Sequence, residues 1–256
     1  TRLETPLYAG VGGIVHLGSD YGFLYILSRM TIAPVAVFHS PFSSKFGIPK
    51  QSGVVEMLKG EIVFLPAYRN PDALRGLEAF DYLWLIWDFN ANRHHAGSLM
   101  VRPPRLGGNK KVGVFASRSP FRPNGLGLSS VKIEMIEWAS NRGPVIHVLG
   151  ADLMNGTPIY DIKPYVTYTD AHVNARSGFV DTNQWQRLQV VMSDEVHAFL
   201  LSRGFDEERI AALKQVLEQD PRPPYQDNPD KIYGMPFMGA DIHFRVKGDV
   251  LTVLAL

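Results

Sequence analysis

The sequence has no cysteine among its 256 residues. This absence excludes disulfide bonds, thiolate metal sites and cysteine nucleophiles, and it favours a cytoplasmic protein over an exported one. No apolar run reaches the roughly 18 residues that a membrane-spanning helix needs. The first 29 residues also lack the basic start and small-residue cleavage site of a signal peptide. The sequence therefore predicts a cytoplasmic protein with no membrane segment.

The signatures of several enzyme classes are missing as well. GxSxG, HExxH and P-loop motifs do not occur, so nothing points to a hydrolase, a metalloprotease or an NTPase. The glycines of residues 10–13, with Asp20 downstream, could form a Rossmann-type cofactor loop, and an oxidoreductase of that kind would need residues 1–29 for activity. Only nine residues precede these glycines, however, and no alternation of strands and helices follows. His94 and His95 are adjacent, which favours exposed loop histidines over a metal pair, so no metal is predicted.

Acidic residues are absent from residues 101–133, although the whole chain is nearly neutral, with a formal net charge of +1. This stretch holds seven of the 26 basic residues, so the rest of the chain is net acidic. A local basic stretch on an acidic body is typical of a surface that binds a phosphate backbone. A solvated loop is the alternative interpretation.

The order of apolar runs indicates how the chain is organised. Residues 1–29 share no patterning with the rest of the chain and are interpreted as an N-terminal extension of uncertain status. Over residues 30–185, short apolar runs between glycine and proline predict an antiparallel β-barrel or sandwich. YLWLIWDF (82–89) predicts a central strand buried on both faces, VGVFAS (112–117) a further strand, and DALRGLEAF (72–80) a helix.

After about residue 185 the pattern changes to helical periodicity. SDEVHAFLLSRG (193–204) and DEERIAALKQVLEQD (206–220) each predict a helix, and residues 241–256 predict a β-hairpin. Residues 186–256 are therefore predicted to form a small α+β C-terminal domain.

A proline-rich stretch, GVFASRSPFRPNGLGLSS (113–130), follows one of the predicted strands. Proline fixes its own φ and biases the preceding residue toward extended geometry, which predicts a stiff, extended loop. Alternation in an extended chain would place Arg118 and Arg122 on the same side.

A second polar row is formed by Asp161, Lys163 and Tyr165, which alternate in a predicted extended segment and would share one face. An acid, a base and a phenol on one face are suited to acid–base chemistry or to orienting a substrate. A modest surface ion pair between Asp161 and Lys163 is the alternative.

Six strings, in this order, resemble the TrmO (TsaA-like) family of S-adenosylmethionine-dependent tRNA N6-methyltransferases: PKQSG, PAYRNPDALRGLEAFDYLWLIWDF, VRPPRLGGN, GVFASRSPFRPNGLGLS, GADLMNGTPIYDIKPY and QDPRPPY. The resemblance covers about residues 34 to 256. It implies a mainly β fold, in which a non-Rossmann antiparallel β-barrel is followed by the small C-terminal domain, and it implies a homodimer. It also implies S-adenosylmethionine as the cofactor and tRNA as the partner. The expected reaction is methyl transfer to N6 of threonylcarbamoyl-adenosine, the modified base next to the anticodon on its 3′ side.

The resemblance also assigns cofactor-binding residues. They are Pro49, Lys50, Gln51, Phe89, Asn90, Arg118, Leu128, Asp152, Leu153, Met154 and Asn155. Lys50 stands where the family has arginine, so a bidentate contact would be lost there. Phe89 and Asn90 stand where the family has His-Gln, so the side-chain contact of the histidine would be lost and only a main-chain contact to the cofactor would remain.

The same interpretation divides the remaining polar residues between substrate and proton transfer. The predicted substrate-binding residues are Arg102, Arg105, Arg122, Asn124, Lys163 and Arg222. Arg118 would face the cofactor, and Arg122 the RNA phosphates or the threonyl carboxylate, because charge-assisted hydrogen bonds are about twice as strong as neutral ones. Asp161 or Tyr165 would accept the proton, directly or through water. The competing class is a non-catalytic RNA-binding β-barrel, from which S-adenosylmethionine binding would distinguish an enzyme.

Overall fold

Short strands dominate the computed structural model. The structure describes residues 31–92, 98–106, 110–183, 186–223, 226 and 228–254; for Arg105 it describes the main chain only. The strands are β1 (Ala36–His39), β2 (Lys59–Phe64), β3 (Tyr82–Asp88), β4 (Met100–Val101), β5 (Val112–Gly113), β6 (Leu126–Ser140), β7 (Gly143–Leu149), β8 (Thr157–Pro164), β9 (Gln189–Val191), β10 (Tyr233–Phe237), β11 (Ala240–Lys247) and β12 (Val250–Val253). The helices are α1 (Thr167–Asp170), α2 (Phe179–Thr182), α3 (Asp194–Ser202) and α4 (Glu207–Glu218). Within these described ranges, no helix has the length and apolar character needed to cross a membrane.

Six of the strands close into a barrel in the order β1, β2, β7, β6, β3 and β8, and every pair is antiparallel. The predicted mainly β fold with an antiparallel barrel is confirmed. On β3, Leu83, Leu85 and Trp87 point inward and are buried, whereas Tyr82 is 43% exposed. The prediction that this strand is buried on both faces is wrong, because alternate side chains of a barrel strand point outward.

The described residues of Pro34–Leu256, which form one compact unit, contain two hydrophobic cores. The first fills the barrel. The second lies between α3, α4 and a four-stranded sheet with the order β10, β11, β12 and β9, and it also includes Phe42, Val55 and Leu58 from the segment before β2. This segment therefore packs against the C-terminal part, although the boundary predicted at residues 185/186 stays a prediction. The predicted extension, residues 1–29, lies outside the described residues.

Two local predictions in the barrel region are wrong. DALRGLEAF forms two 3-10 turns, Pro71–Leu74 and Leu77–Ala79, because Gly76 between them has a φ of 90° and interrupts helical geometry. VGVFAS is strand only at β5, after which Val114–Ala116 turns as a 3-10 helix. The side chain and the main-chain N–H of Ser117 both donate to the Val114 carbonyl, at 2.9 and 3.2 Å, and so close that turn.

The two helices and the hairpin predicted for the C-terminal part are confirmed. Helix α3 begins after Ser193, whose Oγ accepts from the Val196 N–H at 3.3 Å, and α4 begins after Asp206, whose carboxylate accepts from the Arg209 N–H at 2.8 Å. Strands β11 and β12 form the predicted hairpin, and Gly248 supplies the positive φ of 61° that its turn requires.

Candidate functional site

Two of the loops predicted to bind the cofactor meet at one end of the barrel. The Arg118 guanidinium donates from Nη1 to Gln51 Oε1 at 2.6 Å, although 67 positions separate these residues. Glycines hold the first loop in place, since Gly53 N–H donates to the Gly150 carbonyl at 2.8 Å and Gly150 N–H donates to the Leu58 carbonyl at 2.9 Å. Both glycines have a φ near +77°, a conformation that residues with a side chain rarely adopt.

Asp152 lies directly beside this pair, in the loop that follows β7. Ser129 donates from Oγ to Asp152 Oδ1 at 2.6 Å, and Trp87 donates from Nε1 to Ser129 Oγ at 3.0 Å. Burial raises the pKa of Asp152, whereas the hydrogen bond from Ser129 and the positive charge of Arg118 act in the opposite direction. The loop thus holds a half-buried carboxyl group within the electrostatic influence of an arginine.

Ser129 and Trp87 were not predicted to belong to the site. Ser129 is 2% exposed and occupies an inward position of β6, where a polar side chain among apolar ones is the signal that could have identified it. Gly127, two residues earlier, allows the Trp87 ring to lie against β6, because a Cβ at this position would come within 2.2 Å of that ring. Glycine is therefore required at position 127 for packing against Trp87, in addition to the turn that the Leu126 N–H closes.

The rest of the loop that follows Asp152 is fixed by other contacts. Leu153 is 1% exposed and belongs to the barrel core, so its main chain alone can reach a ligand. The Met154 carbonyl accepts from Thr157 Oγ1 at 2.8 Å, and Asn155 Oδ1 accepts from the Ser40 N–H at 3.2 Å. These contacts give the loop a defined shape around Asp152.

The C-terminal part contributes a loop to the same end of the molecule. Pro49 is buried and Lys50 follows it; burial lowers the pKa of Lys50, and the nearby negative charge of Asp220 opposes that shift. Asp220 also accepts two hydrogen bonds from Arg222, from Nε at 2.8 Å and from Nη2 at 2.9 Å. The Arg222 side chain is 10% exposed, so this predicted substrate residue is engaged with Asp220 and orders the loop next to Lys50.

The remaining predicted cofactor residues lie where β3 ends and β6 begins. Phe89 N–H donates to the Gly125 carbonyl at 2.7 Å, and its ring packs edge-on against Trp87 with centroids 4.3 Å apart. Asn90 begins the short 3-10 helix Asn90–Asn92. Leu128 lies on the outer face of β6 and is 59% exposed, so an apolar side chain borders the site and is open to a ligand.

The loop that carries the two arginines is bent, and the prediction of an extended loop is wrong. Arg122 N–H donates to the Pro120 carbonyl at 3.0 Å and Leu126 N–H donates to the Asn124 carbonyl at 2.7 Å, which are two tight turns within seven residues. The Arg122 guanidinium folds back and donates to the Ser117 carbonyl at 3.2 Å, whereas Arg118 reaches Gln51. The two arginines are therefore separated by turns of the chain.

Asp161, Lys163 and Tyr165 share one face, as predicted, and that face is the outside of the barrel. Lys163 Nζ lies 3.1 Å from Asp161 Oδ2, and their side chains are 64% and 48% exposed. The Tyr165 ring packs against Trp84 and Tyr82, with centroid distances of 5.6 and 6.1 Å. Among the described residues, no hydrogen bond or ion pair joins this row to the cluster of Gln51, Arg118 and Asp152.

Two further predicted substrate residues are open to solvent. Arg102 and Asn124 are exposed. The side chain of Arg105 and the pair His94-His95 lie outside the described residues. Within the part of the chain that the structure describes, no group of three or more histidine, aspartate or glutamate side chains is arranged to hold a metal ion.

Comparison of the sequence with known protein families identifies two matching domains. The profile of the tRNA-methyltransferase O N-terminal domain matches residues 37–171, and that of the TrmO C-terminal domain matches residues 185–256. The tRNA (adenine(37)-N6)-methyltransferase of Escherichia coli (strain K12) is 36% identical over 237 residues, which cover 90% of this chain and 99% of that protein. A Pseudomonas aeruginosa relative with the provisional name S-adenosylmethionine-dependent methyltransferase RcsF is 37% identical over 232 residues, covering 88% and 96%.

A solved structure agrees with these matches. The crystal structure of TrmO from Pseudomonas aeruginosa superposes with a TM-score of 0.72 at 29% identity, covering 89% of this chain and 98% of that one. Both profiles, the relatives matched over nearly their full length and the shared barrel lead to one conclusion: the protein belongs to the TrmO family of tRNA methyltransferases.

Proposed function

We propose that the protein transfers a methyl group from S-adenosylmethionine to N6 of adenine 37 in tRNA, and that the adenosine it modifies carries a threonylcarbamoyl group. The observation that supports this most directly is the cluster of Gln51, Arg118 and Asp152, which brings together residues from three separate strings that the family resemblance assigns to the cofactor. A relative with the name tRNA (adenine(37)-N6)-methyltransferase, matched over nearly its whole length, supports the reaction.

The chemistry of this cluster fits S-adenosylmethionine. The ligand carries a carboxylate, an ammonium group, a sulfonium and an adenine ring, and when bound it supplies a methyl group on positively charged sulfur. Arg118 can form charge-assisted hydrogen bonds to the carboxylate, and Asp152 can accept from the ammonium group or compensate the positive charge. Leu128, an exposed apolar side chain at the border of the cluster, offers a surface for the adenine ring.

The remaining requirement is a proton acceptor. The transfer forms a bond from N6 to the methyl carbon, breaks the bond from that carbon to sulfur, and leaves N6 with a proton to lose. Asp161 or Tyr165 is the proposed acceptor, directly or through water. Holding N6 in line with the methyl group by proximity and orientation would supply most of the rate enhancement.

RNA binding is assigned to polar side chains of several loops and of β8. The proposed contacts to the tRNA are Arg102, Arg105, Arg122, Asn124, Lys163 and Arg222, and of these Arg102, Asn124 and Lys163 are exposed as such contacts require. A homodimer is also part of the proposal, and the exposed apolar side chains Leu99 and Phe115 support it, at 64% and 77% exposure. An enzyme acting on tRNA would work in the cytoplasm.

Mass spectrometry of tRNA nucleosides tests the reaction and its substrate separately. The protein is incubated with S-adenosylmethionine and either tRNA that carries threonylcarbamoyl-adenosine or the same tRNA with unmodified adenosine. We expect the threonylcarbamoyl nucleoside to gain the mass of one CH2 group, and the unmodified one to stay unchanged. Methylation of both would contradict the proposed substrate, and methylation of neither would contradict the enzyme and favour an RNA-binding module.

A further inference from the structure

Aromatic side chains gather on the outside of the barrel, where the Tyr165 ring packs against Tyr82 and Trp84, and Tyr168 follows three residues later on α1. Tyr82 on β3 is 43% exposed, and Tyr168 on α1 is 91% exposed. The Tyr165 ring lies between Tyr82 and Trp84, at 6.1 and 5.6 Å. Tyrosine rings at this exposure contribute little to a folded core, so the cluster presents ring faces and edges to the solvent.

This aromatic surface is held rigidly. Trp84 donates from Nε1 to Asp170 Oδ2 at 2.8 Å, and the Val166 N–H donates to the same oxygen at 2.9 Å. These two hydrogen bonds lower the pKa of Asp170, so the carboxylate remains an acceptor at neutral pH. The short helix that carries Tyr168 is thus fixed to β3, so its main chain would not have to be ordered when a partner binds.

Two lysines flank the rings on the neighbouring strands. Lys132 on β6 is the register partner of Tyr82 and is exposed, and Lys163 on β8 is the register partner of Trp84. Since register partners on adjacent strands lie about 5 Å apart on the same face, each lysine stands next to an aromatic ring. Cations interleaved with aromatic rings are the pattern of surfaces that bind single-stranded nucleic acid.

A cavity of about 430 Å³ adjoins the Tyr82 ring. Tyr82, Ser130 and Lys132 line one side, and Gly53 and Gly150, which tie together the loops of Gln51 and Asp152, line the other. Glu134, two residues from Lys132 on the same face of β6, and Glu208 also line the cavity, and both pair with Lys59, at 3.0 and 2.9 Å. Because Lys59 compensates these carboxylates, phosphates would contact Lys132 and the rings would face bases.

We propose that the surface formed by Tyr82, Tyr165 and Tyr168, flanked by Lys132 and Lys163, stacks unpaired bases of the tRNA anticodon loop. This inference rests on the proposed function, because it places the nucleotides that flank the target base on this surface. Stacking on aromatic rings accepts any base, so the surface would hold the loop open whatever its sequence. The two lysines would contact the phosphates between the stacked bases.

Binding of a fluorescein-labelled anticodon stem-loop RNA, followed by fluorescence anisotropy, tests the surface. We expect Tyr168→Ala and Tyr82→Ala each to weaken binding by about five- to a hundred-fold, the range measured for loss of one stacked base. Tyr168→Phe and Tyr82→Phe should bind the RNA like the wild type, because stacking requires the ring and not the hydroxyl group. Trp138→Ala is the matched control, since Trp138 is 40% exposed on the distal half of β6 and should have no effect.

The lysines give a second, independent readout. Lys132→Gln should reduce the slope of log Kd against log salt concentration by about 0.7 for a single-stranded contact. Unchanged binding by Tyr168→Ala, which is too exposed to affect folding, would overturn the proposal. An equal loss in Trp138→Ala, or no restoration by the phenylalanine variants, would also overturn it.

The failure of this surface can be told apart from failure of the proposed function. A wild-type protein that methylates tRNA, together with alanine variants that bind RNA normally, would refute the surface and leave the function standing. A change in sedimentation coefficient for Tyr82→Ala or Tyr168→Ala at unchanged RNA affinity would assign the surface to a second copy of the chain, which also contradicts the proposal.

Discussion

The barrel carries two carboxylates of interest, and their surroundings differ. Asp152 lies inside one end, with Ser129 donating to it at 2.6 Å and burial raising its pKa. Asp161 lies on the outer face, paired with Lys163 at 3.1 Å and 48% exposed. The carboxyl group of Asp152 is thus hydrogen-bonded and largely shielded from solvent, whereas that of Asp161 is solvated. This difference supports the proposal that the cofactor binds at the buried end and that the outer face meets the RNA.

Removal of the proton acceptor should have the largest effect. Of Asp161→Asn and Tyr165→Phe, the substitution that removes the acceptor should lower kcat by about a hundred-fold or more, the contribution typical of a general base. S-adenosylmethionine affinity should stay unchanged in both, since the proposed cofactor site lies elsewhere, at Gln51, Arg118 and Asp152. Single-turnover methylation and calorimetry measure the two quantities. If both variants turn over like the wild type, the acceptor lies elsewhere.

Loss of Arg118 should act on the buried end instead. Arg118→Ala removes the guanidinium that contacts Gln51, and we expect S-adenosylmethionine affinity to fall by about ten- to a hundred-fold, as for loss of a charged hydrogen-bond partner. Calorimetry measures it, with Arg75→Ala as control because the Arg75 side chain is 80% exposed and paired only locally with Asp72. Equal affinity in the two variants would contradict the assignment of Arg118 to the cofactor.

Titration of Asp152 should make both stability and binding depend on pH. The pKa of Asp152 is higher in the folded protein than in the unfolded chain, where it has the ordinary value of 3.8, because burial disfavours the ionised carboxylate. The wild-type protein therefore loses stability as the pH rises from 3.8 through the raised pKa and the carboxyl group ionises. Asp152→Asn avoids this loss, and its melting temperature should exceed that of the wild type by a margin that grows with pH. A constant margin would show that ionisation of Asp152 is not the cause.

Cofactor affinity should change in the opposite direction with pH. The cationic end of S-adenosylmethionine favours ionised Asp152, so wild-type affinity should decrease as the pH falls through the raised pKa, and Asp152→Asn should bind weakly without that dependence. Asp161→Asn is the matched control on the outer face and should keep the wild-type profile.

The ion pair on the outer face should have the smallest effect. Lys163→Gln breaks its contact to Asp161, and because both side chains are exposed we expect the free energy of unfolding to change by less than about 1 kcal/mol. Urea denaturation measures it. A larger destabilisation would mean that the pair supports the barrel, contrary to its exposure.

Regular elements could be predicted because their signals are local. The Ser-Asp-Glu start at residue 193 located α3, the apolar face of residues 210–217 located α4, and the apolar run of residues 82–89 located β3. The failures have local causes too. Gly76 interrupts a helical pattern, and the turns after Pro120 and Pro123 bend a segment whose prolines alone indicated extension. The apolar outer face of β3 could not be distinguished from a buried face, because composition does not show which face a neighbouring element covers.

The site was predictable only in part. Family resemblance, rather than spacing, placed Gln51 and Arg118 in one set, since no local pattern shows that residues 67 positions apart meet. Ser129 was missed because a single serine in a strand forms no motif. Its role follows only from its hydrogen bond to Asp152, which the sequence does not show. The bidentate contact of Arg222 with Asp220 likewise depends on a turn that places them together, with Asp220 at a φ of 49°.

Hydrogen–deuterium exchange with and without S-adenosylmethionine tests the central claim, that the cofactor binds at the buried end of the barrel, most directly. We predict that the ligand slows exchange in peptides covering residues 49–53, 118–128 and 150–155, and that peptides covering residues 161–168 on the outer face are unaffected. Protection restricted to residues 161–168, or the same protection pattern in Arg118→Ala at equal ligand concentration, would contradict the account.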